Sequence, residues 1–296
     1  MSILHVIILA IIQGLAELLP ISSSAHVVVA EKLMGLDPSA PQMTLLLVML
    51  HTGTMFAVIV HFWKTWKKAY FSSTASMKRV VVHLACATAF TGVIAIALKT
   101  VLEETLFYGS EKAEIEQLFS HLEIIAPALA AVGILILIAG LVELRLSRID
   151  RLPDDEKDRL TLAQAVWMGA VQGFALPFRG FSRSGSTIST GMLAGAAKEP
   201  AEHFSFALAI VLTPPVIGAE VVRLLKAVHE SAASGTPIDL HASLLTSLLG
   251  AVFSFFAGLL ALKWLSRWLE SGRWYWFGIY CLVASAVMFY LYRRGF

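Results

Sequence analysis

Long apolar stretches dominate the chain, and they are spaced as membrane-spanning helices are. Six stretches with few or no charged residues each approach the ~20 residues that a helix needs to cross the hydrocarbon of a bilayer. They lie at 42–63, 80–98, 124–142, 203–222, 243–262 and 274–292. The fourth is interrupted by Pro214 and Pro215. The pattern predicts an all-α polytopic membrane protein.

A polar stretch precedes the first span, and a second one precedes the fourth span. The loops between spans alternate in sign: 64–79 holds five lysines and arginines and no acid, whereas 99–123 is acidic. Basic loops favour the cytoplasm. For the alternation to hold, each polar stretch must enter and leave the membrane on one side. We therefore predict two re-entrant helix hairpins, at 1–37 and about 160–200.

The two polar stretches are also related in sequence. I-Q-G-L-A at 12–16 matches V-Q-G-F-A at 171–175, and a serine cluster follows each. We therefore predict one integral domain made of an inverted-topology repeat, 1–150 and 151–296, in which each half is a re-entrant hairpin plus three transmembrane helices. Repeats of this kind place the working site near the membrane midplane, where the halves meet.

Composition supports the membrane class and excludes several functions. The chain is 57% hydrophobic and 15% charged, against about a quarter charged in soluble domains. Its net charge of +2 is spread over loops, so no nucleic-acid partner is expected. Cys86 and Cys281 both fall inside apolar spans and are interpreted as buried apolar residues, not as a disulfide.

The first polar stretch brings several reactive groups to one bend. Gln13 and Glu17 are four residues apart and share a helix face. Pro20 then ends the helix, because proline lacks an N–H and suits a turn. The groups that follow are Ser22, Ser23, Ser24 and His26. A helix that begins in this serine cluster would present its N-terminus, which is a natural anion site.

The second polar stretch supplies cations in a turn rich in glycine and serine. Arg179 and Arg183 are suited to bidentate phosphate contacts, and Glu17 is the available counter-charge. The hydroxyl groups of this turn are those of Ser182, Ser184, Ser186 and Thr187, of which Ser186 or Thr187 is expected to cap the next helix.

Three further residues are given supporting roles. Gln13 and Gln172 occupy matching positions, so they are expected either to hydrogen-bond across the hairpins or to contact the ligand. His51 lies within the first span, where a packing role and a contact with the site are the alternatives. Together the two stretches predict an anion-handling site within the bilayer, for a lipid diphosphate.

Four motifs of the chain resemble the undecaprenyl-diphosphate phosphatase family of integral membrane enzymes. They are Q-G-L-A-E-L-L-P-I-S-S-S-A-H at 13–26, H-T-G-T-M-F-A-V at 51–58, G-F-S-R-S-G-S-T-I-S at 180–189 and H-F-S-F-A-L-A-I at 203–210. The first and third are specific, and the resemblance covers almost the whole chain. It implies removal of the terminal phosphate of undecaprenyl diphosphate in the bacterial inner membrane, which recycles the cell-wall carrier lipid and confers bacitracin resistance.

The resemblance also implies roles for individual residues. Glu17 is similar to a motif acid, Ser23 to the nucleophile or a phosphate-binding serine, and His26 to the motif histidine. The phosphate-binding residues implied for the second motif are Ser182, Arg183 and Thr187, with Ser22, Ser24, Arg179 and Ser184 as further contacts. A divalent cation, Mg²⁺ or Ca²⁺, is implied, with Glu17 as its ligand.

Two positions depart from the family pattern. Gln13 replaces what is often a second acid, which lowers the negative charge available to a metal. Arg179 replaces a proline and adds a cation. Two alternatives are therefore left open for this chain, namely reduced activity and a related substrate.

Alternatives remain at two levels. For the mechanism, Ser23 and a water positioned by Glu17 are both candidate nucleophiles, with His26 or Glu17 handling the proton. For the function, the alternatives are a transporter or flippase of an anionic polyprenyl lipid or small anion, and a bifunctional phosphatase that also flips lipid. The expected partners are a polyprenyl diphosphate lipid, membrane lipids and a second copy of the chain in a homodimer.

Overall fold

The chain folds into ten helices within residues 2–106, 121–149, 160–233, 239–269 and 273–295, which are those that the computed structural model describes. The helices are α1 (Ile3–Ala16), α2 (Ser23–Leu33), α3 (Pro41–Tyr70), α4 (Thr74–Leu106), α5 (Leu122–Ile149), α6 (Leu162–Ala175), α7 (Arg183–Leu193), α8 (Lys198–Ala233), α9 (Leu240–Leu269) and α10 (Tyr275–Arg293). These ranges contain no strand. The all-α prediction is confirmed.

Six of these helices, namely α3, α4, α5, α8, α9 and α10, are long and apolar enough to cross a membrane. They coincide with the six predicted spans, so the protein is a multi-pass membrane protein. Most of the helices extend well beyond the apolar windows, because charged residues continue the helix at its ends, as Lys67 and Lys68 do in the last turn of α3.

The predicted interruption of the fourth span is wrong. Helix α8 runs through Pro214 and Pro215 without a break. Proline removes a backbone donor and crowds the preceding turn. Both prolines are exposed on the protein surface, so their rings take no space from a neighbouring helix.

The two polar stretches form pairs of short helices, α1 with α2 and α6 with α7. Ser2 caps α1, and Thr161 forms a capping box with Gln164 at the start of α6. Helix α1 packs on α9, and α6 packs on α4, so each hairpin contacts the second span of the other half. The inverted relation and the domain limit near residue 150 stay predictions. The loop charges at 107–120, 150–159, 234–238 and 270–272 lie outside the described residues.

Close contacts between these helices depend on glycines, which have no side chain. A Cβ atom at Gly169 on α6 would lie 2.2 Å from the carbonyl oxygen of Ala87 on α4. A Cβ atom at Gly53 on α3 would lie 2.0 Å from the carbonyl oxygen of Ala251 on α9. Small residues allow backbones of membrane helices to approach in this way. The second hairpin is thereby held against α4.

We expect Gly169→Ala to lower the thermal stability of the purified protein. The added methyl group meets backbone that cannot move aside, and such overpacking costs about 1–3 kcal/mol. Gly92→Ala on α4 is the matched control, because a Cβ atom there has no neighbour within 4 Å and alanine is the better helix former. Thermal unfolding in detergent measures both variants. Equal melting temperatures for the two would contradict the close contact between α4 and α6.

Candidate active site

A buried carboxylate, that of Glu17, stands at the centre of the polar residues. It follows α1 directly and is 4% exposed. Its Oε2 atom accepts hydrogen bonds from Gln13 Nε2 at 2.7 Å and from Ser23 Oγ at 2.5 Å. The same oxygen lies 3.2 Å from His51 Nε2, and Oε1 accepts from the guanidinium of Arg183. Donors from α1, α2, α3 and α7 thus converge on one side chain, which we call the Glu17 cluster.

In the Glu17 cluster the carboxylate is buried, whereas the side chains of Arg183 and His51 are partly exposed. The side chain of Glu17 is 3% exposed, whereas those of Arg183 and His51 are 22% and 28% exposed. Burying an ion is costly unless it is paired and hydrogen-bonded, and Glu17 meets both conditions. Arginine carries five donors in a planar fork, and only one of its nitrogens is used by Glu17. Arg183 can therefore contact Glu17 and an incoming phosphate together.

His51 places an imidazole beside the buried carboxylate. Its Nδ1 atom lies 2.9 Å from the carbonyl oxygen of Leu47, and its Nε2 atom faces Glu17. The ring thereby joins the backbone of α3 to the carboxylate of Glu17. Sequence reasoning placed His51 among supporting residues, although an ionisable residue in the middle of an apolar span was a signal of function.

Ser23 is placed as a nucleophile would be. It begins α2, and its hydroxyl group donates to the carboxylate of Glu17. A hydroxyl within hydrogen-bond reach of a base is the arrangement that activates serine. The positive end of the helix dipole lies at the same place and favours an anion there. The structure thus brings Glu17, Ser23 and Arg183 together.

The tips of the two hairpins are tied together by hydroxyl groups. Ser22 Oγ and Ser24 Oγ both donate to the carbonyl oxygen of Arg179, at 2.6 and 2.8 Å. Ser22 has a φ of 64°, and it is the one described residue other than glycine with a positive φ. That conformation is unfavourable for a residue with a side chain and tends to occur at functional sites. The hydrogen bond from Ser22 Oγ to the carbonyl oxygen of Arg179 helps to hold Ser22 in this conformation.

The second turn uses most of its hydroxyl groups internally. Ser182 caps α7, since its Oγ atom accepts from the N–H of Gly185 at 3.1 Å. The expectation that Ser186 or Thr187 caps this helix is wrong, because the helix begins earlier, at Arg183. Thr187 donates to the carbonyl of Arg183 at 2.9 Å and lies 2.5 Å from Ser205 Oγ.

Two other predicted phosphate contacts in this turn are differently placed. Ser184 is buried, with Ser182 Oγ at 3.5 Å from its hydroxyl. The charge of Arg179 acts on the carboxylate of Glu31. Glu31 is 1% exposed on α2, and sequence analysis did not single it out. An acid directly after the apolar run Val27–Ala30 was the signal that could have found it.

His26 lies beside the Glu17 cluster and makes no described hydrogen bond to Glu17 or Ser23. Its Nδ1 atom donates to the carbonyl oxygen of Ser22 at 2.8 Å. Its Nε2 atom is then the acceptor for the hydroxyl group of Tyr280, also at 2.8 Å, and the two rings stack. The geometry fixes the tautomer of His26.

Gln172 is not part of the Glu17 cluster. Its amide donates to Thr91 on α4 at 3.3 Å, whereas Gln13 donates to Glu17. The expected hydrogen bond between the two glutamines is therefore absent from the described structure. Its place is taken by a contact that ties the second hairpin to α4.

The donor set fits a cation that arrives with a phosphate ligand. The described residues contain no group of three histidine, cysteine or acidic side chains able to hold a metal. Gln13 Oε1, however, is buried without a hydrogen-bond partner next to Glu17. Mg²⁺ is commonly held by one or two protein oxygens together with substrate phosphates and water. Gln13 and Glu17 can supply such oxygens.

Comparison with known proteins gives one consistent result. The family model described as "Bacitracin resistance protein BacA" matches residues 6–287. A protein of Acinetobacter baylyi named undecaprenyl-diphosphatase 2 is 57% identical over 288 residues, or 97% of this chain and 97% of that protein. The undecaprenyl-diphosphatase of Rhodopirellula baltica is 32% identical, covering 99% of both chains. Undecaprenyl-diphosphatase 2 of Burkholderia thailandensis is 34% identical, covering 96% of this chain and 95% of that protein.

We expect the ion pair between Glu17 and Arg183 to show strong coupling in thermal stability. Arg183→Ala removes a partner from a buried carboxylate, and breaking such a pair costs about 3–5 kcal/mol. In the double variant Glu17→Gln, Arg183→Ala neither member of the ion pair is left behind, so part of that stability returns. A double-mutant cycle on melting temperature in detergent measures the coupling. Additive effects of the two substitutions would show that the charges do not depend on each other.

Proposed function

The chain belongs to the BacA family of bacitracin resistance proteins, and from this premise we propose that it is an integral membrane undecaprenyl-diphosphatase. It removes the terminal phosphate of undecaprenyl diphosphate and leaves undecaprenyl phosphate, the carrier lipid of cell-wall synthesis. The family resemblance is confirmed by the match to the family and by the relatives. The observation that carries the chemistry is the convergence of Glu17, Ser23 and Arg183.

Binding of the diphosphate rests on the open, cationic side of the Glu17 cluster. Arg183 has donors left for two phosphate oxygens, and the partly exposed imidazole of His51 contacts the same carboxylate. Bidentate contacts from arginine fix the orientation of a phosphate as well as its charge. The transition state of phosphoryl transfer carries charge on its equatorial oxygens, so fixed positive groups stabilise it.

Ser23 is the proposed nucleophile. Its Oγ atom attacks the terminal phosphorus while its proton passes to Glu17, and the bond from that phosphorus to the bridging oxygen breaks. Undecaprenyl phosphate leaves, and water then hydrolyses the phosphoserine. In the alternative, Glu17 takes the proton from a water that attacks directly. The geometry favours Glu17 as the base in both routes, because His26 has no hydrogen bond to Ser23.

A divalent cation, Mg²⁺ or Ca²⁺, is proposed to accompany the diphosphate. When bound, it neutralises phosphate charge that Arg183 and His51 do not reach. Gln13 Oε1 and Glu17 would hold it together with phosphate oxygens. Because Gln13 brings a neutral oxygen where relatives often have an acid, its contribution to cation affinity is weak.

The bacterial inner membrane is the proposed location, and self-association as a homodimer stays a prediction. Six candidate spans support a multi-pass protein, and the name of the relative in A. baylyi supports a polyprenyl diphosphate lipid as substrate.

Phosphate release tests the proposed function directly. Detergent-purified protein is given a C15 or a C55 isoprenyl diphosphate, with and without EDTA, and free phosphate is measured. We expect release that Arg183→Ala lowers about 10²–10³-fold, as for loss of one electrostatic donor. Retained substrate binding without release under any cation would sink the hydrolase proposal and favour the transporter or flippase.

Substitution of Ser23 separates serine attack from water attack. If Ser23 is the nucleophile, Ser23→Ala lowers kcat by at least about a thousandfold. Ser24→Ala is the matched control, since that hydroxyl group binds the Arg179 carbonyl and not Glu17. Full activity in Ser23→Ala would leave water as the nucleophile.

Gln13→Glu is expected to increase the apparent affinity for the cation. A second carboxylate beside Glu17 gives the cation a charged ligand in place of a neutral one. The measurement is the Mg²⁺ concentration for half-maximal phosphate release, which should fall several-fold. Gln172→Glu is the control, because Gln172 bonds Thr91 away from the cluster. An unchanged or higher value in Gln13→Glu would argue against Gln13 as a cation ligand.

A further inference from the structure

A cavity of about 740 Å³ opens far from the Glu17 cluster. It lies among the end of α3, the start of α4, the start of α8 and Leu160, just before α6. Lys68 on its wall follows His51 by 17 residues on α3, or about 25 Å at 1.5 Å per residue. We call it the basic-face cavity, since it lies beside the acid-free loop 64–79.

Positive side chains predominate on the wall of the basic-face cavity. Lys68 and Arg79 line it together with His83 and His203, and Glu199 is the acid among its lining residues. Glu199 is in the first turn of α8, so the positive end of that helix dipole also faces the cavity. The balance of charge favours an anion.

The two histidines of this wall are buried but lack acceptors. His83 and His203 are each 9% exposed, and neither has a hydrogen bond within the described part of the chain. Their ring contacts are with Phe204 and Phe62, which offer no acceptor oxygen. Buried polar groups are nearly always hydrogen-bonded, and leaving one unsatisfied is costly. Ring nitrogens that line a cavity in this way can be satisfied by a ligand with acceptor atoms.

An apolar layer separates the basic-face cavity from the Glu17 cluster. Phe62 stacks on Trp66 and on Phe206, with ring centroids 6.0 and 5.8 Å apart. These rings belong to one buried cluster with Leu18, which directly follows Glu17. His203 packs edge-on against Phe62, with 5.0 Å between the ring centroids. The cavity wall therefore contacts one part of this apolar cluster, and Leu18 beside Glu17 belongs to another, so the two polar sites are distinct.

We propose that the basic-face cavity is a second phosphate-binding site, which takes a phosphate group either as the free ion or as the headgroup of an isoprenyl monophosphate. Arg79 supplies a bidentate fork, Lys68 a point charge and the two imidazoles N–H donors. Basic pockets between membrane helices commonly bind lipid phosphates. Binding of the free phosphate ion is independent of the proposed hydrolysis. Binding of the isoprenyl monophosphate headgroup rests on that proposed function.

Equilibrium binding of labelled inorganic phosphate to the full chain in detergent tests the site, at about 0.15 M salt to screen diffuse attraction. The Arg183→Ala variant removes the main cation of the Glu17 cluster, and it should still bind one phosphate per chain. In the double variant Arg183→Ala, Arg79→Gln, the Kd for phosphate should rise at least about tenfold, as expected for loss of a charge-assisted contact. His83→Gln, which removes no fixed charge, should weaken binding in the same background.

Lys78→Gln is the matched control, because Lys78 is exposed next to Arg79 but does not line the cavity. It should leave the Kd within about twofold. Equal weakening by Lys78→Gln and Arg79→Gln, or no phosphate bound to Arg183→Ala, overturns the proposal.

Competition with farnesyl phosphate identifies the source of the phosphate group. Displacement of inorganic phosphate from Arg183→Ala supports the lipid headgroup, and its absence supports the free ion. Hydrolysis is assayed separately with Arg79→Gln alone and should be unchanged. A matching loss of hydrolysis would make the cavity part of the active site and overturn its independence.

Discussion

The buried carboxylate of Glu17 sets requirements that four helices have to meet. Glu17 is nearly inaccessible to water, and an isolated charge there would be too costly to keep. Four helices therefore deliver donors to it, and one of those donors, Arg183, carries a fixed positive charge. Because Arg183 comes from the second hairpin, the first hairpin alone does not supply all the partners of Glu17.

Such an arrangement needs the hairpin tips to meet at short range. The carbonyl oxygen of Arg179 receives two serine hydroxyl groups from the first tip, and Ser22 adopts a left-handed conformation to supply one of them. At Gly180, a Cβ atom would lie 2.0 Å from the carbonyl oxygen of Ile125 on α5. The second tip is therefore held from two directions. Precise placement of this kind is what electrostatic catalysis requires.

The parts of this structure that depend on local pattern could be predicted from the sequence. Spanning length gave six helices, and four-residue spacing placed Gln13 against Glu17. Pairings between distant segments could not be derived in this way, because periodicity does not say which element faces which. The bond of Gln172 to Thr91 and the action of Arg179 on Glu31 join segments 81 and 148 residues apart. The contact of His51 with Glu17 is also a pairing between distant segments. The position of this ionisable residue within a span was, however, a signal of function.

The charge of the site follows from these unpredicted partners. Arg179 was expected to make the site more basic than in its relatives, and its charge interacts with the buried carboxylate of Glu31 in the first hairpin. At Gln13, the amide group donates to Glu17 while Oε1 is buried without a hydrogen-bond partner. The Glu17 cluster then holds one carboxylate, that of Glu17, against the guanidinium of Arg183, with the imidazole of His51 beside them. The donors that Arg183 leaves unused suit a diphosphate directly, and they reduce the share of the charge that a cation has to neutralise.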